Sequence, residues 1–528
     1  MSRLSLFFLL LLAVSLWYSF FNLLLPKASR FKDFLQRQHI FWHRLFFNLL
    51  TGLLVFAILM AFQHYPFLMD TEDASLDLVM QFHSENPPTN EKMPHFVYLD
   101  IDNQTHQLWG EPVLTPRNRL QKLITIAVNG GARLVIVDVD VSQNTPIDGL
   151  PLPEGLRQHP YDQVLYDYIA NYKHSCLEKG SCIPIILNSA FRPLPEYPED
   201  ESTFGNGFSE EKWSVHQIRP SFLEEAVKQS APYVQWASPL FWQSSYDTGV
   251  RRWWLFQPVC RNHQPEVIPS VQLLAATIIL DGTPDKAQNN INQALAQYQP
   301  QNCEVSEMPP IVSSETIPIT ENLTITEGTR GIRQRIMYHF PWKSVPSLDN
   351  WTFRYTLQDS QQQNTVLTVI SAQPFLEAFQ QGQPTEALKD SIVVIGGSYA
   401  DGRDMHQTPL GNMPGALIVI NSIHSLLQYG EITPLSNWAK FLIMTVLIIV
   451  MSFLFTWRQS FLWLTLVGVF MTIVLLWLSI QFLEQGLWIN FVLPLLVVEL
   501  QQIAADFEKN SNNSVTPNNE KPVVENNQ

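Results

Sequence analysis

Cysteine is scarce in this chain, four in 528 residues, and Cys176, Cys182, Cys260 and Cys303 all fall in one polar stretch. The long apolar runs on either side contain none. That distribution fits a polar domain on the oxidising side of a membrane, flanked by membrane-embedded ends. Catalytic signatures are lacking too. No HExxH, EF-hand loop, CxxC or glycosidase-like carboxylate pattern occurs, which removes the usual sequence marks of a zinc hydrolase, a calcium loop or a redox dithiol. Gly396-Gly397-Ser398 follows an apolar run, but no GxxxxGK[ST] accompanies it, so a tight strand-to-helix turn explains these glycines better than a phosphate cradle. Ser398 sits in GGSYA rather than GxSxG, and nothing in the sequence ties it to His406 or His424.

Charge is sparse and one-sided. Charged residues make up 15 % of the chain against 46 % hydrophobic, with 33 Lys and Arg against 48 Asp and Glu. Residues 1–62 hold six basic and one acidic residue and residues 439–528 hold four and six, leaving 23 basic against 41 acidic in between. A middle region this acidic excludes nucleic acid, or an anionic membrane face, as its main partner. It is compatible with cationic ligands or metal ions, and equally with the plain solubility of an exported domain.

Apolar runs at 4–25, 45–62, 441–456, 461–482 and 487–503 approach the roughly 20 residues that cross a bilayer core, which predicts five spans. The stretch at 27–44 carries Lys27, Arg30, Lys32, Arg37 and Arg44 against Asp33 alone, so the positive-inside rule places it in the cytoplasm and the second span exports the middle. Arg458 then falls inside, Glu484 in an outer turn, and Glu499 at the interface near the end of the last span. The first run lacks an A-x-A-like site and reads as a retained span rather than a signal peptide, with an interfacial helix as the remaining alternative. The predicted organisation is a two-span N-terminal region at 1–62, an extracytoplasmic domain at 63–438, three spans within 439–505 and a disordered cytoplasmic tail at 506–528.

HFVYLDID at 95–102 and RLVIVDVD at 133–140 read as buried strands separated by a helix through 128, with Thr115-Pro116 as its cap and first turn and Asn129-Gly130-Gly131 as its stop. Strand, helix, strand is the unit of a parallel sheet. Further strands are expected at 183–187, 233–236, 253–259, 366–370 and 392–395, and helices at 161–172, 271–279, 374–380 and 415–428. The fold class is therefore an α/β domain with a largely parallel sheet, plus an all-α membrane anchor. Segments 190–225 and 282–330 read as elaborations outside the core.

Asp100 and Asp102 are two apart at one strand end, as are Asp138 and Asp140 at the next, so each pair projects to one face. If the strands are neighbours, the carboxylates cluster where open α/β sheets bind ligands, and would hold Ca²⁺, Mg²⁺ or a cationic organic ligand. Helix capping and solvation are the alternative. Arg251 and Arg252 either clamp an anion or pair with the domain's carboxylates. Cys176 and Cys182 enclose a short loop, which predicts that pair, and elimination leaves Cys260 with Cys303.

Four blocks in order, FVYLDIDNQT with Thr115-Pro116-Arg117, GARLVIVDVDVS at 131–142, DTGVRRWWLFQPV with IPSVQLLAA at 247–276, and VVIGGSYADGRDMHQTPLGNMPG at 393–415, resemble the type-2 CHASE domain, an extracytoplasmic sensory module of bacterial receptors. The resemblance covers most of 64–435, and one span before with three after is usual for that family. It implies a sensor rather than an enzyme, and adds Arg117 and Asp404 to the candidate ligand-binding residues. Three features depart from the family: Val419-Ile420 stands before Asn421 where His-Ala is usual, there is an extra N-terminal span, and no cyclase or kinase domain follows. The resemblance thus implies a multi-pass protein of the bacterial inner membrane whose output lies on a partner chain such as a cyclase or kinase, with homo-oligomerisation compatible. No cofactor is expected beyond a divalent cation at the carboxylates. The rival readings are a structural or assembly subunit of an envelope complex and a metal-dependent extracytoplasmic enzyme.

Overall fold

Val97, Leu99 and Ile101 point to one face of a strand and Phe96, Tyr98 and Asp100 to the other, and all six are buried. A strand buried on both faces belongs inside a parallel sheet covered on both sides. In the computed structural model, which describes residues 40–62, 66–83, 93–147, 158–192, 212–244, 247–307, 313–328, 331–343, 353–359, 364–382, 386–457, 461–483 and 486–488, that strand is an interior strand of a seven-stranded sheet. The strands are β1 (Phe96–Ile101), β2 (Leu134–Asp138), β3 (Ile185–Asn188), β4 (Val234–Ala237), β5 (Phe353–Gln358), β6 (Thr365–Ser371) and β7 (Ile392–Gly397). Their order is β5-β6-β1-β7-β2-β3-β4, and every neighbouring pair is parallel except β5 with β6.

Helix placement follows from this order. The steps from β1 to β2, β2 to β3, β3 to β4 and β6 to β7 all move the same way across the sheet, so right-handed crossovers put their helices on one face. After α1 (Ile40–Ala61), α2 (Pro66–His83) and the short α3 (Asn103–Leu108), that face is covered by α4 (Arg117–Asn129), α5 (Pro160–Ala170), α6 (Tyr172–Glu178), α7 (Glu224–Ser230) and, beyond α8 (Val271–Asp281) and α9 (Pro284–Leu295), α10 (Ala372–Gln380). Leu120, Leu123 and Ile124 of α4, Leu165 of α5, Ala226 of α7 and Phe375 of α10 pack there on Val97, Leu99, Val135, Val137, Leu187 and Val393. The opposite face takes α8 and α11 (Gly415–Tyr429), which pack on each other. Residues 271–279 of α8 and 416–426 of α11 are buried without interruption. Helices apolar all round are covered all round, and the segment at 336–340 supplies part of that cover. Asn421 fastens it: its Oδ1 accepts from the backbone N–H of His339 and of Phe340, each at 2.9 Å, and its Nδ2 donates to the Phe340 carbonyl at 3.0 Å.

Several expectations meet a different outcome. Residues 253–259 do not form one strand; Val250–Trp253 and Phe256–Arg261 pair in separate small sheets outside the main one. Pro116, not Thr115, stands at the cap of α4, and no side chain caps that helix. The helices α2 and α9 and the edge strand β5 were not anticipated. Within the expected elaboration at 282–330, Ala287, Ile291 and Leu295 recur every four residues and are buried, so that part is an amphipathic helix. The two cysteine pairs are Cys176–Cys182 and Cys260–Cys303, with Cα atoms 4.9 and 5.3 Å apart.

The chain divides into two compact units, residues 80–433 and the residues before and after them. The second unit includes α1, α12 (Asn437–Trp457) and α13 (Phe461–Leu483). Val55, Phe56 and Leu59 of α1 pack on Met444 and Ile448 of α12, and Asn48 Nδ2 donates to Thr456 Oγ1 at 3.4 Å. Windows at Asn437–Leu454 and Leu466–Leu483 are long and apolar enough to cross a membrane, and only 28 % and 17 % of them is buried within the protein. The expected spans at 4–25 and, beyond Trp488, at 487–503, the residues Arg458, Glu484 and Glu499 and the tail at 506–528 lie outside the described residues.

Candidate functional site

The register places Asp100 of β1 opposite Gly396 of β7, and Gly396 opposite Asp138 of β2. The two aspartates are therefore two strand spacings apart, about 10 Å. β1 and β2 are not neighbours, and β7, which enters between them, divides the strand-end carboxylates into two groups.

The first group is internally matched. Asp100, fully buried, makes a close ion pair with Arg354 of β5 and accepts from Ser398 Oγ at 2.8 Å. Burial pushes its carboxyl up to about 6, with the Arg354 charge opposing. Asp102 caps α3, accepting from the Thr105 N–H at 2.8 Å; it also accepts from Ser371 Oγ at 2.6 Å and lies 3.8 Å from Arg354 Nη1. Ser398 thus serves Asp100, not a histidine.

The second group faces open space. β7 leads into α11 on one face while β1 and β2 lead to helices on the other, and such a divergence leaves a crevice at the carboxyl ends of the strands. A cavity of about 730 Å³ fills it, lined among others by Asp138, Asn188, Ser189, Asp404 and His406. Asp404 and His406 come from the hairpin β8 (Met405–Thr408) and β9 (Gly411–Pro414) and its lead-in, and His406 Nε2 lies 2.9 Å from Asp404 Oδ1. Gly415 opens α11 because a Cβ there would stand 2.6 Å from the Asp404 carboxylate. With no side chain at that point, the carboxylate rests against a helix N-terminus, where negative charge is favoured. Burial, then the Asp404 charge, drives the Asp138 carboxyl above the usual range, while His406 and a short hydrogen bond from Asn188 Nδ2 oppose that rise. His406 is raised chiefly by its hydrogen bond to Asp404.

Asp140 sits on the rim of this cleft, accepting from the Ser142 N–H at 2.7 Å and lying 3.5 Å from Arg219 Nη1. Arg117 does not line the cleft. It is fully buried at the start of α4, donates from Nη2 to the Gln143 carbonyl at 3.1 Å, and burial lowers its pKa against the pull of Asp162 and Asp140. Thr115 lines the cleft instead of capping α4. Arg251 pairs with Asp247 at 2.6 Å, and Arg252 donates from Nε to the Gly331 carbonyl at 3.3 Å and lies over the Trp242 ring. Gly396 lets α11 approach β7, since a Cβ there would stand 2.6 Å from that of Ala416. Among the described residues no group of three or more His, Cys, Asp or Glu is arranged to hold a metal ion.

A sequence-family model described as the CHASE2 domain matches residues 50–455. The chain belongs to the CHASE2 domain family. No curated protein and no solved structure matches it. CHASE2 domains are extracytoplasmic sensory modules, not catalysts. The CHASE2 match begins within α1 and ends within α12, so along the chain it takes in an apolar helix before the sheet and one after it.

Sequence reasoning missed Arg354, Asn188 and Arg219 of this CHASE2 domain, and saw His406 without its partner. His406 was findable: Asp404 and His406 are two apart at an extended segment, a spacing that puts both on one face. Arg354 was not, because the edge strand that carries it gave no clear pattern.

Proposed function

We propose that this CHASE2 protein is an integral inner-membrane sensor. Its extracytoplasmic domain detects a small molecule in the cleft at the carboxyl ends of β7, β2 and β3 and signals through a separate partner chain. The observation that carries this reading is that the cleft and a candidate membrane helix share one stretch of chain. Gly415, Ile418 and Val419 of α11 line the cleft, and the residues at 430–436 alone separate α11 from α12. A ligand that shifts α11 has a short covalent route to a membrane-spanning segment, and a conformational change follows only from differential binding to two states. The five spans expected from the sequence would orient it with the basic loop at 27–44 inside.

Affinity purification of the intact protein from its own membrane tests the partner. Recovery of a cyclase, a kinase or a second copy of this chain is expected, and cleft substitutions should alter that partner's output. A chain that stays partnerless, with its deletion leaving second-messenger and phosphorylation outputs unchanged, overturns sensing and favours the envelope-subunit reading. For topology, a reporter active only outside should work after residue 70 or 300 and fail after 35 or 515.

A further inference from the structure

Two buried polar atoms in the cleft have no hydrogen-bond partner: Asn188 Oδ1 and Ser189 Oγ, on residues 7 % and 3 % exposed. Buried acceptors left unpaired are costly, so their presence in a cavity points to a donor that arrives from outside. Asn188 Nδ2 is already committed to Asp138, which fixes the amide with its oxygen free. The charges in the cleft are unequally matched as well. Arg219 pairs with Asp140 and His406 with Asp404, while Asp138 has no ion-pair partner among the described residues. Phe191, Leu240 and Phe241 supply apolar wall. A volume of about 730 Å³ suits a small organic molecule.

We propose that the cleft binds a small organic cation, an alkyl- or arylammonium whose NH₃⁺ donates to Asp138, Asn188 Oδ1 and Ser189 Oγ while its apolar body lies on Phe191, Leu240 and Phe241. This rests on the sensing reading of the cleft and names the class of its ligand. Three acceptors match the three donors of an ammonium. The groups facing Asp138 are Asn188 from β3 and Asp404 and His406 from the hairpin, with Asp140 and Arg219 at the rim. Because burial and Asp404 favour the protonated form of Asp138 in the empty cleft, an ammonium displaces that proton, and binding tightens as pH rises.

The test is calorimetry on the full chain in nanodiscs with phenethylammonium, its neutral isostere 2-phenylethanol and the anion phenylacetate. Phenethylammonium should bind at least about tenfold tighter than either, tighten at least about threefold from pH 6.5 to 8, and gain about fourfold per added methylene, as expected for burying one CH₂. Asp138→Asn should weaken it about tenfold or more and Ser189→Ala about threefold. Lys228→Ala, in a separate cavity, should leave it unchanged. Thermal unfolding of each variant without ligand reports folding; if Asp138→Asn fails to fold, Leu240→Lys on the cleft wall should abolish binding instead. Equal binding of 2-phenylethanol, or Asp138→Asn binding as the parent does, overturns the proposal. Phenylacetate binding in place of the amine, with its affinity changed in Leu240→Lys, overturns the amine but keeps the sensing cleft. No binding of all three, with Leu240→Lys leaving partner output unchanged, overturns both.

Discussion

Asp100 and Asp138 face the same residue, Gly396, from its two sides. Each ends an apolar run on a central strand, yet Arg354 compensates the first while the second lines an open cleft. Strand order makes the difference, because β5 delivers a cation to Asp100, while among the described residues no arginine or lysine pairs with Asp138.

Removing Arg354 leaves Asp100 buried without a cation and deprives Asp102 of its neighbour. Breaking one side of a buried ion pair typically costs about 3 kcal/mol or more. Arg354→Ala should lower the unfolding temperature of the full chain clearly, and adding Asp100→Asn should restore part of the loss. Single and double variants of equal stability would show that the pair carries no such coupling.

Gly396→Ala places a methyl against Ala416, whose Cβ would lie 2.6 Å away. Neither β7 nor α11 can give way without repacking, so a loss of about 2 kcal/mol is expected. A Cβ at Gly468 of α13 would meet nothing within 4 Å, and Gly468→Ala should be neutral or stabilising. Denaturant titration of both variants checks the contrast.

Glu431 is buried, accepts from Thr326 Oγ1, and burial pushes its carboxyl up to about 7. A carboxyl whose folded pKa is raised binds its proton more tightly in the folded state, so its contribution is fully present below the unfolded value near 4.5. That contribution is lost as pH rises through about 7. A shift of this size corresponds to roughly 3 kcal/mol. Glu431→Gln should flatten the fall in stability between these pH values and leave the variant more stable than the parent at pH 8, as measured by thermal unfolding across pH.

The disulfides close loops of very different length, with sequence separations of 6 for Cys176–Cys182 and 43 for Cys260–Cys303. By loop-closure entropy the longer one stabilises more, by about 2 kcal/mol. Replacing Cys260 and Cys303 by Ser should therefore lower the unfolding temperature further than replacing Cys176 and Cys182. Non-reduced peptide mapping that finds a crossed pairing would remove the basis of this comparison.

Much of the architecture was legible from local pattern. Runs such as FVYLDI and LVIVD are strands because apolar β-formers buried on both faces suit a parallel sheet. VQLLAATIILD is a helix opened by Ser270, whose Oγ accepts from the Leu273 N–H at 3.2 Å, and closed by Gly282 in the left-handed region. The pairing of Cys176 with Cys182 followed from proximity, that of Cys260 with Cys303 from elimination, and the family from four short blocks. Those properties live in neighbouring residues, and the sequence by itself determines them. Which strand lies beside which does not live there. Parallel pairing joins residues as distant as Gly396 and Asp138, and no local preference encodes that choice. Only the tertiary structure therefore decided that β7 separates the two acidic strand ends, that Arg354 compensates Asp100, and that Asp138, Asn188 and Ser189 were left to line a cleft. The physical reason is that burial and charge pairing depend on what packs opposite a side chain, and that partner is set by the sheet order and not by the chain's own neighbours.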